Sequence, residues 1–145
     1  MHSTSLKQLI LQYTDVWVVA NREQTLNTLD PACLIIESYG PTYHGREMVS
    51  RWFDSWFAPG NHVNRWEVTS FYTTDEGCFF EWIFECMYAG QRYNFEGASV
   101  ARVSQGKIIS LREYAMAAPR YEWEGSTSIS WIALTMAFSL GCILW

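Results

Sequence analysis

Residues 78–114, CFFEWIFECMYAGQRYNFEGASVARVSQGKIISLREY, decide the fold. Three runs rich in aromatic and β-branched residues, Cys78–Tyr88, Tyr93–Ser104 and Lys107–Tyr114, are separated by Ala89-Gly90-Gln91 and by Ser104-Gln105-Gly106. Short turn-forming insertions between such runs predict hairpins, and so an antiparallel meander. Asn64–Tyr72 has the same character and joins the meander through Asp75-Glu76-Gly77. Alternation assigns the faces. Trp82, Phe84, Cys86 and Tyr88 share one face of their strand, and Glu81, Ile83, Glu85 and Met87 the other. Phe95, Gly97, Ser99, Ala101 and Val103 look inward, with Glu96 and Arg102 outward. In the last strand Ile109, Leu111 and Glu113 share a face opposite Ser110, Arg112 and Tyr114. If the Ile109–Leu111 face is the concave one, Glu113 points inward. A one-residue bulge would reverse that assignment.

The N-terminal third reads differently. Leu6, Leu9, Ile10, Tyr13, Val16, Trp17 and Ala20 recur at three and four, which predicts an amphipathic helix over Leu6–Ala20. Ser5 is its expected N-cap, with Gln8 as capping-box partner. A second helix is expected over Arg22–Leu29, ended by Asp30-Pro31. Cys33–Tyr39 reads as a strand and Gly40-Pro41 as a turn. A third helix follows over Arg46–Phe57, with Met48, Val49, Trp52, Phe53, Trp56 and Phe57 on its apolar face. The order is helix, helix, strand, helix, then four strands. This segregation predicts an α+β fold: a curved antiparallel sheet wrapped around helices, a cone-shaped barrel with an internal pocket.

The 145-residue length suits one domain, expected over residues 1–125. Eight Trp and 17% aromatic residues must line a core or a ligand cavity. A net charge of −5 without a basic run argues against nucleic acid as a partner. Met1–Lys7 carries no secretory pattern, so a cytoplasmic chain is expected. Cys33, Cys78, Cys86 and Cys142 form no CxxC pair and have no nearby His. Neither a metal nor another cofactor is expected, and the thiols should be reduced.

The run Glu37-Ser-Tyr-Gly-Pro-Thr-Tyr-His-Gly-Arg-Glu-Met48 resembles the strand–turn–helix signature of SnoaL-like proteins, in the nuclear-transport-factor-2-like superfamily. Phe95-Glu-Gly-Ala-Ser and Gly106-Lys-Ile-Ile-Ser-Leu-Arg-Glu-Tyr resemble the closing hairpin of that family. The likeness extends from about Leu6 to Gly125. It implies the cone fold, shared by ketosteroid isomerases, polyketide cyclases, epoxide hydrolases and non-catalytic binding modules, and it implies pairing of cones through the sheet. Fold alone leaves the function open.

In ketosteroid isomerases a carboxylate base sits at the strand end where Glu37 lies here, and a first-helix Tyr donates to the developing oxyanion. Tyr13 precedes Glu37 by 37 − 13 = 24 residues, which matches the spacing of that family. The resemblance therefore implies proton abstraction next to a carbonyl by Glu37, with Tyr13 stabilising the enolate. The second acid of the isomerases falls on Ser99, a weaker donor than a protonated carboxyl. Glu113, if inward, is another acid, its pKa raised by an apolar setting. His44, beside the turn that opens the third helix, is a candidate proton shuttle. Structural readings stand beside these: Glu37 paired with an Arg at the rim, Tyr13 in the core, Glu113 paired with Arg102 or Arg112, and His44 solvated in its loop. Trp17, Trp52, Trp56, Trp66 and Trp82 are core residues or cavity walls. Trp17, Trp52, Trp56, Trp82, Phe84, Phe95 and Ser99 are the candidate ligand-binding residues for a small apolar molecule. Glu81, Glu85, Arg102 and Arg112 around Ile83 and Val100 suit a homodimer contact on the outer sheet face.

Residues 126–145 form an apolar tail. Its core, Ile129–Trp145 (ISWIALTMAFSLGCILW), has no formal charge. A spanning helix needs ~20 apolar residues, with a lower limit near ~17. Membrane contact, packing on the domain or a partner, and a non-native extension all remain open. Two functions from different classes fit the whole chain: a cofactor-free isomerase, cyclase or hydrolase-like enzyme, and a ligand-binding or interaction module. Convergence of a carboxylate and a hydroxyl on one cavity would separate them.

Overall fold

The computed structural model describes residues 3–116 and 118–122. Helices α1 (Ser3–Val18) and α2 (Arg22–Thr28) lead into strand β1 (Leu29–Ile36) and a short β2 (Thr42–His44). Helix α3 (Gly45–Phe57) precedes β3 (His62–Thr73), β4 (Gly77–Tyr88), β5 (Gln91–Ser104) and β6 (Lys107–Ala115). The six strands make one sheet in the order β2-β1-β6-β5-β4-β3, curved but unclosed, with β2 and β3 at its edges. Helix α1 packs against β3, and α3 against β1. The expected α+β architecture is the observed one.

The departures from expectation are local. Helix α1 begins at Ser3, so Ser5 lies within its first turn instead of capping it. Asn21 caps α2: its Oδ1 accepts from the Gln24 N–H at 3.0 Å. Strand β1 starts at Leu29, before Cys33, because it absorbs Asp30-Pro31 at an irregularity between Leu29 and Leu34. Proline enters a sheet most easily where the ladder is already interrupted. Strand β2 is new; three residues are too few to show alternation. It returns on β1 with Leu34 opposite His44. Its turn passes through Gly40 at φ 123°, a conformation that glycine adopts freely.

The largest departure is one of direction. Strand β1 pairs with β6 in parallel, with Ile35 opposite Leu111 and Ile36 opposite Arg112. The rest of the sheet is antiparallel. Alternation along one strand carries no information about which strand lies beside it.

The inward face of β4 is as expected: Phe80, Trp82 and Cys86 are buried. In β6 the phase shifts once. Arg102 pairs with Ser110 but Val103 with Ile108, so Ile109 has no opposite number. Ile108, not Ile109, is therefore buried with Leu111. The irregularity lies before Leu111, so Glu113 keeps the same face as Leu111. Trp17 and Trp82 are buried, while Trp52 is half-buried against them. On the opposite face Glu81, Val100, Arg102 and Arg112 are exposed, whereas Ile83 and Glu85 are half-buried. Among the described residues no helix is long and apolar enough to cross a membrane. The tail over 126–145, including residues 129–145, lies outside the described residues.

Gly97 shows how closely β5 is packed. A Cβ there would lie 2.4 Å from Cη2 of Trp82 and 2.5 Å from the Tyr114 carbonyl oxygen. The Trp82 ring lies over this backbone and donates from Nε1 to Ser99 Oγ at 2.8 Å. Gly97→Ala is therefore expected to displace the indole and destabilise the fold by about 1–3 kcal/mol, the usual cost of overpacking. Urea denaturation checks this; an unchanged midpoint would mean that Trp82 is not held as described.

Candidate functional site

The parallel β1–β6 register positions the acids. Ile35 and Leu111 oppose each other and are fully buried. One pleat further, on the same face, come Glu37 and Glu113, each only 9% exposed. Glu37 lies just past β1, held by a turn in which its N–H donates to the Pro41 carbonyl at 2.9 Å and its own carbonyl accepts from Gly40 N–H at 3.2 Å. Glu113 is opposite Ser99 across the β5–β6 pair. A carboxyl therefore lies on the strand next to Ser99.

Two carboxyls side by side in an apolar setting do not both ionise readily. Neighbouring strands lie ~5 Å apart. Burial pushes the Glu113 carboxyl up to about 8. Burial, and then the charge of Glu113, holds Glu37 well above the carboxylate range. Near neutral pH the pair keeps a proton, and its two titrations belong to the pair.

Tyr13 approaches the acids from α1, with no exposed surface. Its phenol is raised well above its usual value by burial, then by Glu113 and Glu37, while the Trp17 indole N–H, turned toward the phenol without closing to full hydrogen-bond distance, acts in the opposite sense. The Tyr13 ring meets Trp66 edge-on at 5.6 Å and Trp17 at 6.4 Å. Among the described residues, Tyr13 Oη, Trp17 Nε1, Trp66 Nε1 and Glu113 Oε1 are buried without a hydrogen-bond partner. Each such orphan costs about 1–3 kcal/mol. The structure therefore brings Tyr13, Glu37 and Glu113 into one electrostatic neighbourhood, with donors and acceptors left unmatched.

The remaining candidates are spread around this centre. His44 is exposed and leads into α3; its N–H donates to Met48 Sδ at 3.4 Å. Trp52, half-buried, stacks on Tyr43 at 4.4 Å and 13°. Trp56 is half-buried between Phe57 and Tyr88, and its carbonyl accepts from Asn61 Nδ2 at 2.7 Å. Phe84 and Phe95 pair at 5.3 Å, and both rings reach Trp82. Ser99 is fully buried.

Two tyrosines near the acids, Tyr39 and Tyr43, were not among the candidate residues, and Trp66, expected only as a core residue or cavity wall, lies against Tyr13. Tyr39 follows Glu37 by two positions. Its phenol is pushed upward by burial first and by Glu37 second. Tyr43 is pushed up to about 12, again by burial and then Glu37. The mutual influence of the two hydroxyls has the sense expected when Tyr39 donates to Tyr43. The two-residue spacing from Glu37 was the available signal for Tyr39. For Trp66 the residue type pointed to a core or cavity wall, while its place beside Tyr13 follows only from the packing of α1 on β3. No group of three metal-ligating side chains occurs among the described residues. Chemically, the arrangement can take up and return a proton while a phenol steadies developing negative charge.

Comparison with known proteins follows the same lines. A ketosteroid isomerase-like protein of Catenulispora acidiphila, crystallised with trimethylamine, is 19% identical, with a TM-score of 0.65 over 74% of this chain and 84% of that one. A candidate polyketide cyclase of Xanthomonas campestris is 18% identical, with a TM-score of 0.63 over 77% and 90%. An epoxide hydrolase of Mycobacterium tuberculosis is 11% identical, with a TM-score of 0.70 over 78% and 84%. At these identities the likeness is one of fold. No curated protein matches the chain. The SnoaL-like domain model matches residues 10–111, a span that includes Tyr13 and Glu37 and ends two residues before Glu113. The chain belongs to the SnoaL-like domain family.

Proposed function

We propose that this protein is a cofactor-independent acid–base enzyme of the isomerase or cyclase type, acting on a small, largely apolar carbonyl compound. The observation that carries this reading is the burial of Glu37 and Glu113 side by side near the Tyr13 hydroxyl. In the proposed step the pair reacts from the arrangement that leaves its shared proton on Glu113 and Glu37 ionised, and Glu37 removes a proton from the carbon next to the carbonyl. The electron pair of that C–H bond moves into the enolate, and its oxygen accepts from Tyr13. Glu113, in its protonated form, returns a proton at the same or another carbon, leaving the two carboxyls with one proton between them as before. Aromatic walls from Trp17 to Phe95 exclude water and hold an apolar ligand.

The test is deuterium incorporation from D2O next to the carbonyl of α-tetralone and cyclohex-2-enone, followed by NMR. Wild-type protein is expected to accelerate exchange over buffer. Glu37→Gln should lose roughly 100-fold or more of that acceleration, in the range of general-base contributions. Tyr13→Phe should lose roughly 100- to 1,000-fold, as for one oxyanion donor. No acceleration with either ketone, or an unchanged rate in Glu37→Gln, would favour a binding module without chemistry.

The acid pair also sets a pH dependence of stability. A Glu in an unfolded chain titrates near ~4.3. Between that value and about 8 for folded Glu113, the native state binds more protons than the unfolded one. Stability from this group is therefore complete at low pH and declines as pH rises through the window. Glu113→Gln removes the titration. Its melting temperature relative to wild type should rise steadily from pH 4 to pH 8, by roughly 4 °C for each kcal/mol relieved. A flat or falling difference would contradict a buried, raised carboxyl.

The outer sheet face supports a homodimer as part of the same reading. Tyr72, Val100 and Tyr114 are 56%, 44% and 48% exposed on neighbouring strands. Arg112 lies over the Tyr114 ring at 5.1 Å. Sedimentation should detect a dimer that Val100→Glu weakens by about tenfold or more, since a buried unpaired charge opposes association. A monomer at all concentrations would sink this.

A further inference from the structure

We propose that the indole N–H groups of Trp17 and Trp66 join the Tyr13 hydroxyl as donors of an acceptor subsite, which takes the carbonyl oxygen of a planar, otherwise apolar ligand. This rests on the acid–base reading of the same site and adds to it the polarity and orientation of what binds. Two indoles lie beside Tyr13, Trp17 and Trp66, which are 6.3 Å apart, and Trp82 follows 6.2 Å beyond Trp66. Only Trp82 has a partner for its N–H among these, at Ser99 Oγ. Trp17 and Trp66 are buried with Nε1 unpartnered among the described residues, as is Tyr13 Oη.

An indole nitrogen donates and cannot accept. Trp17 and Trp66 therefore cannot satisfy each other, and Tyr13 can accept from one of them but still holds its own proton. Native proteins rarely leave such donors unpaired in an interior. A cluster of three left unpaired is matched chemically by an oxygen that accepts and brings no proton of its own. A carbonyl or enolate oxygen meets that requirement. Trp52 and Phe53 beside Trp17, and Phe84 beside Trp66, are carbon surfaces against which the rest of such a ligand would pack.

The positions of the groups orient the ligand. The donors stand on α1 and β3, whereas the carboxyls stand at β1 and β6, across the sheet from β3. A planar ketone with its oxygen toward Tyr13, Trp17 and Trp66 presents its neighbouring carbon on the side of Glu37 and Glu113. Trp66 thereby becomes a specificity-determining residue: it reads the presence of an acceptor oxygen that aromatic packing alone would ignore.

α-Tetralone and tetralin differ by that one oxygen, which makes them suitable probes. Binding is measured by tryptophan fluorescence, and the indole N–H resonances of 15N-labelled wild-type protein are followed by NMR. Wild type should bind α-tetralone about tenfold more tightly than tetralin or better, as two or three new hydrogen bonds imply. Two indole N–H resonances should move downfield with α-tetralone and not with tetralin. Trp17→Phe and Trp66→Phe, which keep an aromatic ring, should each reduce the preference for the ketone by roughly 3- to 10-fold. Equal affinities, binding of neither probe, or indole protons that do not respond in the wild type would overturn the proposal without reference to any variant. Deuterium exchange on α-tetralone separates the two ideas. Exchange without ketone preference removes the indole donors and leaves the acid–base reading. Ketone preference without exchange keeps the donors and removes the chemistry.

Discussion

Two carboxyl groups in one apolar neighbourhood impose the constraint on which this structure turns. Taken from water, each costs several kcal/mol when ionised and unpaired. The protein manages them by proximity. Glu37 and Glu113 occupy successive places on the same face beyond the Ile35–Leu111 pair, so the ionisation of one opposes that of the other. A proton retained between them relieves the charge. This works only while β1 and β6 keep their parallel register. A slip of one residue would turn one side chain to the opposite face and leave the other alone.

Much of the surrounding architecture protects that register. The β2 return pairs with β1 on its other edge, and the turn at Gly40 and Pro41 holds the Glu37 backbone. On the far side, the irregularity between Arg102 and Val103 takes up one residue of β6 before Leu111, so Leu111 and Glu113 still face the helices. Had the same extra residue fallen after Leu111, Glu113 would point to solvent. Helix α1 closes the concave side with Tyr13 and Trp17, and the Trp66–Trp82–Phe84 rings continue the wall along the sheet. The apolar wall raises the carboxyl and phenol pKa values, and the same wall leaves indole donors without partners.

The outward face obeys different physics. Arg65 and Arg92 bracket Glu85 at 3.4 and 3.0 Å, and Arg102 meets Glu76 at 3.1 Å. Such solvated pairs contribute little to stability, with a median of ~0–1 kcal/mol. Their value lies in shaping a surface where Tyr72, Val100 and Tyr114 remain accessible. The sheet thus carries buried, coupled carboxyls on one face and solvent-screened ion pairs on the other.

The local content of this fold was legible in the residues. The helical spacing from Leu6 to Trp17, the paired turns of the meander and the inward alternation of Trp82 and Ser99 depend on neighbours in the chain, and all of them hold in the structure. Tyr13, Glu37 and Glu113 were recognisable as residues that could carry chemistry, from their types and their places at strand or helix positions. What the residues could not specify was adjacency. The parallel β1–β6 pairing, the bulge that buries Ile108 instead of Ile109, and the three-residue β2 each arise from contacts between distant segments. Trp66 meets Tyr13 for the same reason: only the packing of α1 on β3 brings its ring there. Sequence alone determined which side chains turn inward, because the period of a helix or strand is a local property of the backbone. Tertiary structure decided which inward side chains meet, because strand order and helix docking are settled by burial summed over the whole chain.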